Sequence, residues 1–260
     1  MSIFSDARVT SRLLFAPIRG ATHRDRLESF YRHQAQDYDR FRKKLLHGRQ
    51  ALYESLPTPL GGTWIEMGGG TGANLEFLAD RIGGLESVHV VDLSSSLLAQ
   101  ATERIARHKW KNVKITHGDV LDVDLPAADI ITFSYSLTMI PPWYAAIDRA
   151  LELLKPGGIL AVVDFYVSRK YPSAGRGKHG WFPRSLWPLW FAMDNVHLSA
   201  DHLPYLESRL QAMRIDEGWG AIPWVPWLRV PYYTFVGQKP RLRQPPASAA
   251  ESLTPQQAAA

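Results

Sequence analysis

Glu66-Met67-Gly68-Gly69-Gly70-Thr71-Gly72 follows the apolar stretch Thr63-Trp64-Ile65, and Asp92 stands 20 residues beyond Gly72 at the end of a second apolar run. A strand that must turn tightly, so that the next helix aims its N-terminus at a ligand, needs residues without a β-carbon. An acid on the neighbouring strand then accepts hydrogen bonds from two ribose hydroxyls. Together these residues predict a nucleotide-binding crevice. The glycines alone leave the nucleotide open, because Gly68-x-Gly70-x-x-Ala73 also satisfies the dinucleotide fingerprint.

Further residues narrow the choice. Gly118-Asp119-Val120 follows a third apolar segment, Val113–His117, which puts a second carboxylate at the same carboxyl edge, able to accept an adenine amino group. Downstream come Ala128-Asp129-Ile130-Ile131-Thr132-Phe133-Ser134 and Leu154-Lys155-Pro156-Gly157-Gly158-Ile159-Leu160. This series, over residues 60–165 and in the right order, resembles the class I S-adenosylmethionine-dependent methyltransferases. The resemblance implies S-adenosyl-L-methionine as cofactor. It places Glu66, Gly68, Gly70, Thr71 and Gly72 at its methionine end, Asp92 with Leu93 at the ribose, and Asp119 with Val120 at the adenine. It also implies that Ser134, Tyr135 and Ser136 border both cofactor and acceptor, with Tyr38 and Arg49 on the cofactor from the N-terminal side.

The elements that must position these residues follow from the pattern. From 63 to 164 strands and helices alternate: strands near 63–67, 87–92, 113–117, 129–134 and 158–164, with helices at 73–82, 95–108 and 143–153. Such alternation predicts an α/β fold, a doubly wound, Rossmann-like sheet. As in the family, segments 213–219 and 230–238 are expected to add an antiparallel hairpin as the last of seven strands, leaving 166–212 as an insertion between strands 5 and 6. The spacing of Leu27, Phe30, Tyr31, Tyr38, Phe41, Leu45, Leu46 and Leu52 predicts a helical lid over 24–58. Residues 1–23 and 241–260 read as irregular, mobile ends around a single domain at 24–240.

With 260 residues, 45% of them hydrophobic, the chain can bury one good core. It has no cysteine, which excludes disulfides, thiolate metal sites and a cysteine nucleophile. No metal site is expected, since His197 and His202 lie five apart with no evident third ligand. No segment is long and apolar enough to span a bilayer and no signal-peptide pattern is seen, so a cytoplasmic location is expected. Residues 1–50 hold eleven Lys/Arg against five Asp/Glu, leaving nineteen basic and twenty acidic groups for the rest. The basic character is N-terminal and would attract anionic lipid or nucleic acid. Six of nine tryptophans fall within 47 residues, from Trp181 to Trp227. Indoles favour boundaries between apolar and wet surroundings, and Trp187-Pro188-Leu189-Trp190-Phe191 is the expected membrane-contacting segment.

A narrower resemblance covers most of residues 28–238. Tyr38–Arg49, Phe133–Pro141, Asp194–Tyr205 and Arg229–Tyr233 are similar to the BtaB-type N-methyltransferases of betaine-lipid synthesis. That family converts diacylglyceryl-homoserine to diacylglyceryl-trimethylhomoserine by three methylations, after an aminocarboxypropyl transferase, which becomes a candidate partner. The resemblance implies a lipid substrate at an anionic membrane surface, with the enzyme peripheral on the inner face. The catalytic candidates are Tyr135, Asp194 and His197, with His47 as a further proton acceptor. Tyr31, Tyr38, Tyr135 and Trp143 are candidates to cradle a cationic head group, and Arg42 or Arg49 to pair with its carboxylate. Other acceptors, RNA or a soluble molecule, stay open, although no RNA-binding aromatic motif is present. An NAD-dependent oxidoreductase would need a Tyr-x-x-x-Lys pair that the crevice lacks, and a non-catalytic cofactor binder is disfavoured by the complete motif set.

Overall fold

In the computed structural model the described residues are 44–193, 195–223 and 225–241. They form a seven-stranded sheet in the order β3-β2-β1-β4-β5-β7-β6. The strands are β1 (Thr63–Met67), β2 (Ser87–Asp92), β3 (Val113–His117), β4 (Ala128–Ser134), β5 (Leu154–Phe165), β6 (Gln211–Ile222) and β7 (Val225–Gln238). The helices are α1 (Arg49–Ser55), α2 (Ser95–His108), α3 (Trp143–Leu153), α4 (Trp181–Ala192) and α5 (His202–Arg209). β1 to β5 pair in parallel, while β7 runs antiparallel to both β5 and β6. This is the Rossmann-like methyltransferase sheet that the sequence predicts.

Strand alternation sorts the core into two layers. Trp64, Val88, Val90, Ile130, Ala161 and Val163 point to one face and pack with Leu52 and Tyr53 of α1 and Trp187 and Phe191 of α4. Ile65, Met67, Val91, Ile131, Phe133 and Val162 point to the other, against Ala146 and Ile147 of α3 and Leu203 and Leu206 of α5. β1 and β4 are covered on both sides, which is why apolar residues stand on both faces of each strand, interrupted by the buried Glu66 and Thr132. Edge strand β6 has exposed positions along most of its length.

Three expectations are corrected. The helix expected at 73–82 is a 3₁₀ segment over Ala73–Gly84, broken at Ala79 (φ 47°, ψ −130°). Beyond the break, Arg81 donates to the carbonyls of Leu56 and Tyr53 and so ties this turn to the end of α1. The closing hairpin is longer than 213–219 and 230–238, because β6 and β7 stay paired beyond the end of β5, through Gly220 with Val230. Trp187 and Phe191 do not form an outward lipid-facing segment: four residues apart on one face of α4, both are buried in the core. Trp181, Trp219 and Trp227 are the exposed indoles, while Trp224 lies outside the described residues. The irregular ends and most of the 24–58 lid also lie outside the described residues.

Candidate active site

The glycine turn is laced to the end of β2. The amides of Gly68 and Gly69 donate to Val91 O at 2.8 and 3.0 Å, and that of Gly70 to Asp92 Oδ2 at 2.8 Å. Asp92 Oδ1 accepts from Ser94 N at 2.9 Å, and its carbonyl accepts from Gly118 N at 3.0 Å. One acid thus connects the turn, the start of α2 and the loop after β3. Leu93 joins the same edge through its carbonyl, 3.1 Å from His117 Nε2. Asp119 is exposed and caps its own turn by accepting from Leu121 N at 3.0 Å, while Val120 is buried beside it.

Gly68 must be glycine on two counts. Its φ is 69°, and a β-carbon there would sit 2.5 Å from Ser136 Cβ. Ser136 in turn donates to Met67 O at 2.9 Å. The turn after β1 and the turn after β4 therefore touch backbone to side chain, and Thr71 is fully buried within the first.

Beneath the turn runs a buried polar chain. Glu66 accepts from Tyr53 Oη at 2.9 Å and Asn74 Nδ2 at 2.6 Å, and Asn74 Oδ1 accepts from Arg49 Nη1 at 3.1 Å. Arg49 also donates to Leu46 O at 3.3 Å. Tyr53 Oη lies 3.2 Å from Thr132 Oγ1, which accepts from Trp64 Nε1 at 3.1 Å. Burial, with the Glu66 charge beside it, pushes the Tyr53 hydroxyl well above its ordinary pKa, so it remains a donor. Glu66 and Arg49 are thereby engaged with protein groups below the turn, where they brace its shape. Tyr53, Asn74 and Thr132 carry no local sequence signal, since only the fold brings them together.

The acceptor side is built from the end of β4. Tyr135 sits in the left-handed region at φ 55°, a costly conformation for a bulky residue, found where surroundings over-determine it. Its amide donates to Val163 O at 2.8 Å, its ring meets Phe165 edge-on at 4.6 Å, and its hydroxyl donates to His47 O at 2.7 Å. The His47 ring lies against Tyr232, at 5.9 Å, and within 3.0 Å of Ala221 O. Gly220 leaves room for that ring, since a β-carbon there would fall 2.0 Å from His47 Cδ2. Ser134, at the strand end, is buried, and its hydroxyl has no hydrogen-bond partner among the described residues.

Asp164, the penultimate residue of apolar strand β5, is an acid that the sequence does not single out. It is fully buried and accepts from Thr138 Oγ1 at 2.8 Å, Thr138 N at 3.2 Å and Phe165 N at 2.8 Å. Burial raises its pKa to about 7 against the lowering effect of these donors. Next to Thr138 lies His197, whose amide donates to Thr138 O at 2.7 Å while its side chain is exposed. Trp143 packs its half-buried ring on His202 at 4.7 Å and Tyr205 at 5.5 Å, so it anchors α5 to α3. The candidates Tyr31, Tyr38, Arg42 and Asp194 lie outside the described residues.

Residues 65–160 match the methyltransferase domain family. Demethylmenaquinone methyltransferase of Listeria monocytogenes is 28% identical over 89 residues, which is 34% of this chain and 38% of that protein. The chain thus spans well under half the length of this relative. Among solved structures, phosphoethanolamine N-methyltransferase 2 of Haemonchus contortus, with phosphomonomethylethanolamine and S-adenosylhomocysteine, superposes with a TM-score of 0.66 at 16% identity. The superposition covers 85% of this chain and 61% of that one. N-methyltransferase NodS of Bradyrhizobium japonicum, with S-adenosylhomocysteine, gives 0.54 at 16% identity, over 74% and 86% of the two chains. The chain carries a class I methyltransferase domain, the kind found in S-adenosylmethionine-dependent transferases of class EC 2.1.1.

Proposed function

We propose that this domain methylates the amine of a membrane lipid, converting diacylglyceryl-homoserine to diacylglyceryl-trimethylhomoserine in three successive transfers from S-adenosylmethionine. The observation that carries this reading is a convergence. Tyr38–Arg49, Phe133–Pro141, Asp194–Tyr205 and Arg229–Tyr233, far apart in the chain, resemble the betaine-lipid enzymes. In the fold they meet through Tyr135 with His47, His47 with Tyr232, and His197 with Thr138. The meeting point adjoins the glycine turn, where Ser136 lies against Gly68.

The residues present fit the cofactor. Gly68, Gly70 and Gly72 all hold positive φ, Asp92 is partly exposed at the edge, and Ser134, whose hydroxyl has no partner among the described residues, follows Phe133, which pairs with Met67 of β1. When bound, S-adenosylmethionine supplies an electrophilic methyl on a sulfonium. The protein need only align the acceptor and exclude water, and positioning alone is worth up to roughly 7–11 kcal/mol. The acceptor amine becomes a permanent cation on the third transfer, and the half-buried ring of Tyr232 is an aromatic candidate among the described residues to attract it, whereas Tyr135 is buried against Phe165. His197 and His47 are the candidates in the described residues for taking the proton of the amine; Asp194 is a further candidate. Arg49 is engaged with Asn74, which leaves Arg42 as the candidate for the head-group carboxylate.

A lipid acceptor also suits a protein at the inner, cytoplasmic face of an anionic membrane, supplied by an upstream aminocarboxypropyl transferase. No helix among the described residues is long and apolar enough to cross a bilayer. The test is incubation with methyl-labelled S-adenosylmethionine and a mixture of membranes, RNA and cytosolic metabolites. Label in the lipid extract supports the reading; label in RNA or in the aqueous phase rejects it.

A further inference from the structure

α4 breaks the rule that a surface helix turns its polar residues outward. Its twelve residues, Trp181–Ala192, include one charged side chain, Arg184. Trp187 and Phe191 fill the inner side, where Phe191 meets Phe165 at 4.8 Å. At about 100° per residue, Trp181, Phe182, Ser185, Leu189, Ala192 and Met193 share the opposite side. Trp181, Phe182, Leu189 and Met193 are 78%, 53%, 74% and 62% exposed. A helix that is apolar all round belongs where its outside is apolar too.

The loop that leads into this helix is basic, with acidic partners on and before α5 and Asp194 just past Met193. Residues 165–193 contain Arg169, Lys170, Arg176, Lys178 and Arg184 and no Asp or Glu. Arg169 and Arg176 pin the loop before α4 onto α5 through Asp201 at 2.7 Å and Glu207 at 2.5 Å. Lys170 and Lys178 flank the exposed ring of Tyr171, at 5.4 and 6.0 Å from its centre. Apolar surface rimmed by cations complements an anionic bilayer, whereas a second copy of the same face would bring like charges together.

We propose that α4 lies in the plane of an anionic membrane interface, with Trp181, Phe182, Leu189 and Met193 inserted and Lys170 and Lys178 at the lipid phosphates. The helix is about 18 Å long, too short to span and suited to lying flat. Its inner face reaches the acceptor side through ring contacts, Phe191 to Phe165 at 4.8 Å and Phe165 to Tyr135 at 4.6 Å, so the site would open beside the lipid surface. This inference rests on the lipid-acceptor reading for its purpose, though not for its test.

The test is sedimentation of the full chain with vesicles of phosphatidylcholine, with or without phosphatidylglycerol. The wild type is expected to bind the anionic vesicles, and Trp181→Ser with Leu189→Ser to lower partitioning on the order of tenfold with an unchanged melting temperature. Lys170→Ala with Lys178→Ala should erase the preference for phosphatidylglycerol. Partitioning that survives Trp181→Ser with Leu189→Ser overturns the proposal, as does a lipid-free dimer that this change dissolves. Methylation of detergent-dispersed diacylglyceryl-homoserine is measured in parallel. Vesicle binding lost in the variant, with no methylation by any form, supports the membrane seat while rejecting the acceptor.

Discussion

The backbone amide of Gly70 donates to the carboxylate of Asp92 at 2.8 Å, so the acid expected to hold a ribose is also the staple of the glycine turn. Asp92→Ala removes both roles. Losing a hydrogen bond to a charged group costs about 1.5–3 kcal/mol, so S-adenosylmethionine affinity should fall roughly 10–100-fold. Isothermal calorimetry checks this; unchanged affinity would remove Asp92 from the pocket.

Gly68 and Ser136 make a second, steric prediction. Gly68→Ala adds a methyl 2.5 Å from Ser136 Cβ at a residue with φ 69° and should abolish detectable cofactor binding. Ser136→Gly in the same chain should restore part of it, because it removes the clash and leaves only about 1–2 kcal/mol of backbone cost. A double variant no better than the single one would mean that the two turns are not in contact.

The buried chain under the turn predicts a stability effect. Glu66→Ala strands the Asn74 amide without its acceptor, at about 1–3 kcal/mol, and leaves the Tyr53 hydroxyl only Thr132 Oγ1 at 3.2 Å. Tyr53→Phe deletes one donor and should cost less. Urea unfolding of both variants decides, and equal, small losses would contradict the network.

Much of this was legible from sequence, and the limits have physical causes. The glycine turn, Asp92 and Asp119 report themselves because backbone conformation and strand ends are local properties. Tyr53, Asn74 and Thr132 become partners of Glu66 only after α1, the segment after the turn and β4 pack together. Asp164 hides in an apolar run because its donors, at Thr138, come from another strand connection. The two sides of α4 could not be told apart, since apolar residues surround it and give no direction for the sheet. The break at Ala79 likewise has no Pro or Gly to announce it.

Two buried titratable groups give opposite pH signatures. Burial lowers His202 to about 4, below its ordinary 6.5, with nearby Asp201 opposing. Its contribution is complete above pH 6.5 and is lost as pH falls toward 4, reaching about 3 kcal/mol. Asp164, raised from 3.8 to about 7, contributes fully below pH 3.8 and loses up to about 4 kcal/mol as pH rises through 7. His202→Phe should therefore flatten the acid side of the stability profile, and Asp164→Asn the neutral side. Urea midpoints from pH 4 to 8 test both, and variants parallel to wild type would show that these groups titrate normally.

Mass spectrometry of lipids, after incubation of the purified protein with S-adenosylmethionine and membranes containing diacylglyceryl-homoserine, tests the central claim most directly. The account predicts that this lipid gains one, two and three methyls. An unmodified lipid pool, with cofactor binding demonstrated in the same sample, would contradict the betaine-lipid assignment and leave the methyltransferase domain in search of another acceptor.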